Sequence, residues 1–70
     1  MITLKALKDS PSHKLQKDKT YSAVSIQRAQ VIYEGRATSV IATLINMNGK
    51  LFELHHFSVE DFNKQFYIVR

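Results

Sequence analysis

The feature that most constrains this chain is the alternation of apolar and polar residues, interrupted at short intervals by turn-forming residues. A period of two residues is typical of strands that bury one face. Ile2, Leu4 and Ala6 show this period near the start of the chain. Residues 38–46 are rich in β-branched side chains, which favour strands. The sequence therefore predicts an all-β fold built from mainly antiparallel strands.

Turn residues divide the chain into these strands. Glu34-Gly35 and Asn48-Gly49 each contain the glycine that supplies the positive φ of a tight reversal, and Asn-Gly is a strong hairpin signal. They predict hairpins on both sides of residues 38–46, with Leu51–His56 as the returning strand. Pro11 ends the first strand, because proline cannot donate to a strand ladder.

One stretch, Ser22–Tyr33, fits two interpretations. Val24, Ile26 and Ile32 alternate with polar residues, which favours a strand. The same stretch contains good helix formers, so a helix is the alternative.

A short helical turn is expected near residues 58–62. Ser58 can cap the first free amides of a helix, and the next residues include Glu60 and Asp61, which favour its positive end. Phe57 and Phe62 occupy the two positions of a hydrophobic staple. Tyr67–Val69 is expected to form a short last strand.

The length and composition exclude several classes. Seventy residues without cysteine form one domain, 1–70, with no disulfide framework and no thiolate zinc site. No apolar run approaches the ~18 residues of a spanning helix. Because charged residues such as Lys5 and Asp9 occupy the start of the chain, we expect no signal peptide, no membrane partner and a cytoplasmic location.

Four segments resemble the SH3-like small β-barrel, in particular the short forms found in phage and bacterial proteins. They are Leu15–Tyr21, Asn46–Gly49, Phe52–Phe62 and Tyr67–Val69. The resemblance implies a single five-stranded, mostly antiparallel barrel over the whole chain. It also implies a non-catalytic accessory protein that modulates or inhibits a host complex in the host cytoplasm.

The same resemblance implies a ligand surface between the Lys8–Lys19 loop and the Glu34–Arg36 turn. Readers of proline-rich peptides present stacked aromatic residues there, often with a tryptophan pair. This chain has no tryptophan, so we expect a different kind of protein ligand.

The sequence holds no convincing catalytic or metal-binding constellation. His55 and His56 are neighbours in a predicted strand and point to opposite faces, so they cannot share one metal ion. Glu60 and Asp61 do not converge on a substrate as paired catalytic carboxylates must. We therefore expect no enzymatic activity, no metal and no cofactor.

A protein-binding patch is the first functional hypothesis. Five aromatic residues lie in the last nineteen positions, and their default role is to fill the core. One hypothesis is that one or two of them stay exposed and form an interaction patch with Met47 or Tyr67. The favoured alternative is that all of them fill the core. The candidate protein-binding residues are Met47, Phe52 and Tyr67.

A basic nucleic-acid-binding module is the alternative. The net charge is +4, and five of the ten basic residues precede Thr20, against two aspartates. A basic loop of this kind favours anionic partners, although lysines on a solvated loop also serve solubility alone. Homo-oligomerisation through an exposed strand edge fits either hypothesis. The candidate nucleic-acid-binding residues are Lys14, Lys17, Lys19, Arg28 and Arg36.

Overall fold

Strands dominate the computed structural model, which describes residues 1–69. The elements are β1 (Ile2–Ala6), a 3-10 turn (Pro11–His13), β2 (Thr20–Tyr33), β3 (Arg36–Met47), β4 (Lys50–His56), α1 (Val59–Gln65) and β5 (Phe66–Val69). All the strand pairs are antiparallel, and the strands form one sheet in the order β4-β3-β2-β1-β5. This confirms the all-β class, with β4 and β5 as the two edges of an open sheet.

Both predicted hairpins are confirmed. Glu34 and Gly35 have φ angles of 51° and 77°, and Asn48 and Gly49 have φ angles of 54° and 83°. Positive φ at both central residues is the requirement of the two-residue turn that matches the twist of the flanking strands. The second turn is reinforced by the Asn46 side-chain oxygen, which accepts a hydrogen bond from the Gly49 amide at 3.1 Å.

The ambiguous stretch belongs to β2, a strand of 14 residues. Ala23 lies opposite Ile45 and Ser25 lies opposite Leu44, so Val24 is an extra, bulged residue. The expectation that Val24 and Ile26 share the apolar face is therefore wrong. Ala23 is buried in place of Val24, which is 45% exposed, because one extra residue moves every later side chain to the other face.

The main core cluster lies on one face of the sheet, while Val40 and Ala42 are buried on the opposite face of β3. Leu4, Ala23 and Ile45 have no exposed surface, and Leu15 reaches the same cluster from the loop after β1. On β4, Leu54 and His56 are buried while His55 is exposed, as the two-residue period predicts.

The predicted helical turn is confirmed and extends to Gln65. The Ser58 hydroxyl accepts from the Asp61 amide at 3.1 Å, as expected of a cap. Gln65 Oε1 then accepts from His56 Nε2 at 2.6 Å, so the last helical residue pairs the buried histidine. The helix is thereby joined to β4.

The aromatic residues divide between the core and the surface. Phe62 and Phe66 are buried, with ring centroids 5.7 Å apart, and Phe52 is half-buried. Phe57 and Tyr67 are 54% and 58% exposed, which confirms that some aromatic residues remain outside the core. Phe57 packs edge-on against Tyr33 at 5.3 Å, on the side of the sheet that faces away from the main core.

The Thr43 hydroxyl provides a test of the packing. It is fully buried on β3 and has no hydrogen-bond partner within the described chain. Replacing it with an apolar group of the same shape removes an uncompensated desolvation cost. We expect Thr43→Val to raise the free energy of unfolding by about 1 kcal/mol, measured by urea denaturation.

The matched control for this test is Thr38→Val. The Thr38 hydroxyl is hydrogen-bonded to the Arg36 carbonyl at 3.4 Å on a more open part of the same strand. That variant is expected to gain nothing. A loss of stability in Thr43→Val would show that the buried hydroxyl does have a partner.

Candidate functional site

The loop between β1 and β2, residues 7–19, carries one wall of the candidate site. Its base is closed by hydrogen bonds from Ala6 N to Lys19 O at 2.9 Å and from Asp18 N to Ala6 O at 2.8 Å. Further out, Ser10 and Leu15 exchange two backbone hydrogen bonds of 2.9 and 3.1 Å. Since Leu15 is buried in the core, the loop is anchored in its middle as well as at its ends.

Side chains fix the outer part of this loop. Asp9 Oδ1 accepts from the Lys17 amide at 2.8 Å, and Tyr21 Oη accepts from the Gln16 amide at 2.8 Å. The His13 Nδ1 atom lies 3.1 Å from Ser10 Oγ. These contacts hold the loop in one conformation before any ligand arrives, which lowers the entropic cost of binding.

A groove of about 660 Å³ lies between this loop and the β3–β4 hairpin. Met47 and Phe52 are half-buried and pack against the core, and Leu51 is 57% exposed. These three residues are the apolar part of the lining, and Leu51 occupies a position of β4 whose side chain points to the opposite face from Phe52. The complete lining is Ser12, His13, Lys14, Met47, Asn48, Lys50, Leu51, Phe52 and Glu53.

Two further recesses adjoin the groove. One of about 420 Å³ is lined by Lys14, Lys19, Tyr21 and neighbouring residues, and shares Met47 with the groove. The other, of about 430 Å³, lies along the loop between Asp9 and Gln16. Lys14 lines all three concavities, so they meet at its side chain.

The charge around this meeting point is positive. Among residues 1–69, lysine ion pairs form at Lys5 and Lys64. The ammonium groups of Lys14, Lys19 and Lys50 therefore have no carboxylate of the described chain within 4.0 Å. The groove lining itself holds one acidic residue, Glu53, and its Oε2 atom lies 3.3 Å from His55 Nε2, a contact that is an ion pair only when the histidine is protonated. Asp9 lines the recess along the loop. The groove thus combines an apolar floor with unpaired lysines that outnumber the carboxylates.

Lys14 adopts an unusual backbone conformation. Its φ of 58° lies in the left-handed region, where it ends the 3-10 turn with its amide bonded to the Pro11 carbonyl at 3.1 Å. A non-glycine residue in this region costs of order 1 kcal/mol. Glycine would adopt this backbone conformation at a lower cost.

The candidate protein-binding residues separate into two places. Met47 and Phe52 come together in the groove. Tyr67 lies on β5, opposite Lys5 of β1, at the other edge of the sheet. The sequence could not place Tyr67 because the strand order depends on contacts between distant segments.

The candidate nucleic-acid-binding residues also separate. Lys14 and Lys19 line the adjoining concavities, and Lys17 lies between them on the loop. Arg28 lies in the middle of β2, and Arg36 lies beside the turn at its far end. The sequence predicted that the lysines and arginines form one basic surface. In the structure β2 is extended, so both arginines lie far along the β2–β3 hairpin from the loop.

The implied ligand surface is corrected in one respect. The loop faces the β3–β4 hairpin across the groove, whereas the Glu34–Arg36 turn closes the opposite end of the β2–β3 ladder. Lys50 and Leu51 line the groove and were not among the residues predicted from the sequence. Their position directly after the Asn48-Gly49 turn was the available signal, because a tight turn brings the residues on its two sides together.

Two further features concern metal ligands and hydropathy in the part of the chain that the structure describes. Within residues 1–69, no three histidine, cysteine or acidic side chains gather in a way that could hold a metal ion. Of the helical segments that the structure describes, none has the length and apolar character needed to cross a membrane.

Comparison with known proteins gives no relative for this chain. No family model, no curated protein and no solved structure matches it.

The hydrogen bond from the Gln16 amide to the Tyr21 hydroxyl gives a testable prediction. Tyr21→Phe removes the oxygen that accepts from the Gln16 amide and should cost about 1 kcal/mol of local stability. We expect the exchange of the Gln16 amide hydrogen to accelerate about fivefold, while the core amides of β3 exchange nearly as before. Native-state hydrogen exchange followed by NMR measures the exchange rates of the Gln16 amide and of the β3 amides in one experiment.

Tyr67→Phe is the matched control, since this hydroxyl lies on the exposed side of β5. It should leave the exchange of the loop amides unchanged. An unchanged Gln16 amide in Tyr21→Phe would contradict a loop held by that hydroxyl.

Proposed function

We propose that this chain is a non-catalytic protein-binding module whose groove holds an extended, acidic segment of a partner protein. The observation that carries the proposal is the meeting of three concavities at Lys14, on a loop already held in place by its own hydrogen bonds. An apolar floor beside unpaired ammonium groups favours a ligand with large apolar side chains flanked by carboxylates.

The floor supplies the affinity in this proposal. Met47 is flexible and polarisable, which suits contact with varied side chains. Phe52 and Leu51 add aromatic and aliphatic surface beside it. Burial of such side chains at the centre of an interface typically dominates the binding energy. The lysines around the floor then select acidic partners and speed association.

The motif resemblance supports a narrower form of the proposal. An SH3-like small barrel of phage type would act as an accessory protein that modulates or inhibits a host complex in the cytoplasm. The five-stranded antiparallel sheet, with one short helix before the last strand, is compatible with that fold. The fold by itself does not define the partner.

Nucleic-acid binding is the competing function. The cluster of Lys14, Lys17 and Lys19 would suit a phosphate backbone. Single-strand binding proteins add aromatic rings on which bases stack. Two rings lie in the concavities that Lys14 lines. Tyr21 is half-buried and uses its hydroxyl to hold the loop, and Phe52 is half-buried and packs against the core. The peptide proposal uses the apolar floor as well as the lysines, and we favour it for that reason.

Selection from a random 12-residue peptide library displayed on phage tests the proposal. We expect enriched peptides to carry Asp or Glu on both sides of a large apolar residue. Synthetic versions of these peptides should bind with micromolar affinity in fluorescence polarisation. Lys14→Gly should weaken that binding about tenfold, equivalent to about 1.4 kcal/mol.

Lys14→Gly should change the affinity for the peptide without lowering the stability of the fold. Because glycine tolerates a φ of 58° better than lysine, the free energy of unfolding should not fall. Lys64→Gln, which removes a lysine from α1, is the control and should bind as the unaltered chain does. A library that yields no acidic motif, or binding unaffected by Lys14→Gly, would contradict the proposed site.

Titration with oligonucleotides tests the competing function. Labelled single-stranded and duplex DNA are titrated at about 50 mM salt, where backbone contacts are strong. The peptide proposal predicts weak DNA binding that Lys14→Gly and Lys64→Gln reduce alike. Tight DNA binding that falls steeply with salt, together with no selected peptide, would replace protein binding by nucleic-acid binding.

A further inference from the structure

The β2–β3 hairpin extends beyond the rest of the sheet. β1 pairs only with residues 20–23 of β2, and β4 pairs only with residues 41–47 of β3. Residues 29–40, here called the arm, are therefore a two-stranded ribbon within the described chain. Two-stranded ribbons are marginally stable by themselves in water, so the arm gains from a further neighbour.

The overall dimensions reflect this extension. The accessible surface is 5133 Å², whereas a monomeric protein of 8.1 kDa is expected to expose about 4,500 Å². The radius of gyration is 12.1 Å, against about 11 Å expected for 70 residues. The excess of about 600 Å² is surface that the projecting ribbon leaves exposed in the single chain.

The free edge of β2 is the longest in the sheet. From residue 24 to residue 33 no other strand of the described chain pairs with that edge. Natural sheets protect such edges with lysine, proline or inward-pointing charge. Here Arg28 is the only charged residue of the segment, and Ile32 is 76% exposed near its end. The edge is therefore open and largely uncharged.

The turn decides which backbone groups point outward. In a two-residue hairpin the residues that flank the turn, Tyr33 and Arg36, exchange hydrogen bonds. Antiparallel pairs alternate between bonded and non-bonded. Arg28, Gln30 and Ile32 therefore direct their N–H and C=O groups away from β3, toward the free edge.

We propose that two copies of this chain pair through these edges, antiparallel, about a two-fold axis at Ala29. Ala29 of each copy then lies opposite Ala29 of the other, and Arg28 lies opposite Gln30. Ile26 lies opposite Ile32, so the most exposed apolar side chain of the edge gains an apolar neighbour. A register centred on Arg28 would instead place two guanidinium groups opposite each other, which is unfavourable.

The other edges are less suitable for this pairing. The free part of β3 covers only residues 36–40, and β5 has four residues. β4 carries Lys50 and Glu53 along its length, and charges of this kind discourage edge pairing. The β2 edge lies away from the groove, so the pairing does not depend on the proposed peptide site.

Cysteine cross-linking tests the register directly, because the chain contains no cysteine. The two Ala29 positions form a non-bonded pair with an expected Cα separation of about 4.5 Å, within the range of disulfides. Ala29→Cys should form a covalent dimer almost completely under mild oxidation, seen on a non-reducing gel. Ser39→Cys, on the outer edge of the other strand of the arm, should stay monomeric.

Analytical ultracentrifugation tests the association without a cross-link. The unaltered chain should sediment as a dimer with a concentration-dependent monomer fraction. Ile32→Lys should weaken dimerisation at least about tenfold, because two lysines would lie within the new interface. Ala37→Lys, on β3 directly opposite Ile32 and exposed on the same face, should leave the dimer intact.

Three results would overturn the pairing. They are a monomer at concentrations up to about 1 mM, a cross-link from Ser39→Cys as rapid as that from Ala29→Cys, and equal effects of the two lysine substitutions. Circular dichroism of each variant shows whether its strands have formed. None of these readings uses a peptide ligand, so failure here leaves the groove proposal untouched.

Discussion

The structure depends on β2, one strand that must serve two neighbours at once. Its first residues pair with β1, and from residue 22 onward it pairs with β3 as far as the Glu34-Gly35 turn. The bulge at Val24 allows β2 to pair with both neighbours. Ala23 and Ile26 are three residues apart, and the extra residue between them places both side chains on the core face. Bulges also bend and twist a strand, which allows β2 to leave the body of the sheet as one side of the arm.

The two proposed surfaces lie at opposite ends of this strand. Near its start, the preceding loop and the β3–β4 hairpin enclose the groove. Near its end, the exposed edge carries the free backbone groups of the arm. A dimer paired through the arm would present two grooves at its outer ends, so a partner with two acidic segments could bind both and gain avidity.

The buried histidine shows how a small sheet accommodates polar groups. The His56 ring packs edge-on against the rings of Phe62 and Phe66, with centroid distances of 5.5 and 5.9 Å. Only Nε2 has a hydrogen-bond partner within the described chain, and that partner comes from α1. The short helix therefore contributes two contacts to the core. Gln65 bonds the buried histidine, and Phe62 packs against its ring.

Local chemistry let the sequence alone determine the turns, the Ser58 cap and the strand character of most segments. Each of these depends on residues within a few positions: Asn48-Gly49 requires positive φ, and Ser58 reaches the Asp61 amide. The tertiary structure alone decided the bulge, the open sheet and the meeting of Lys14 with Met47 and Phe52. These features depend on which distant segments pair. The two-residue alternation of a strand shows which of its faces is buried, but it does not identify the strand that lies beside it.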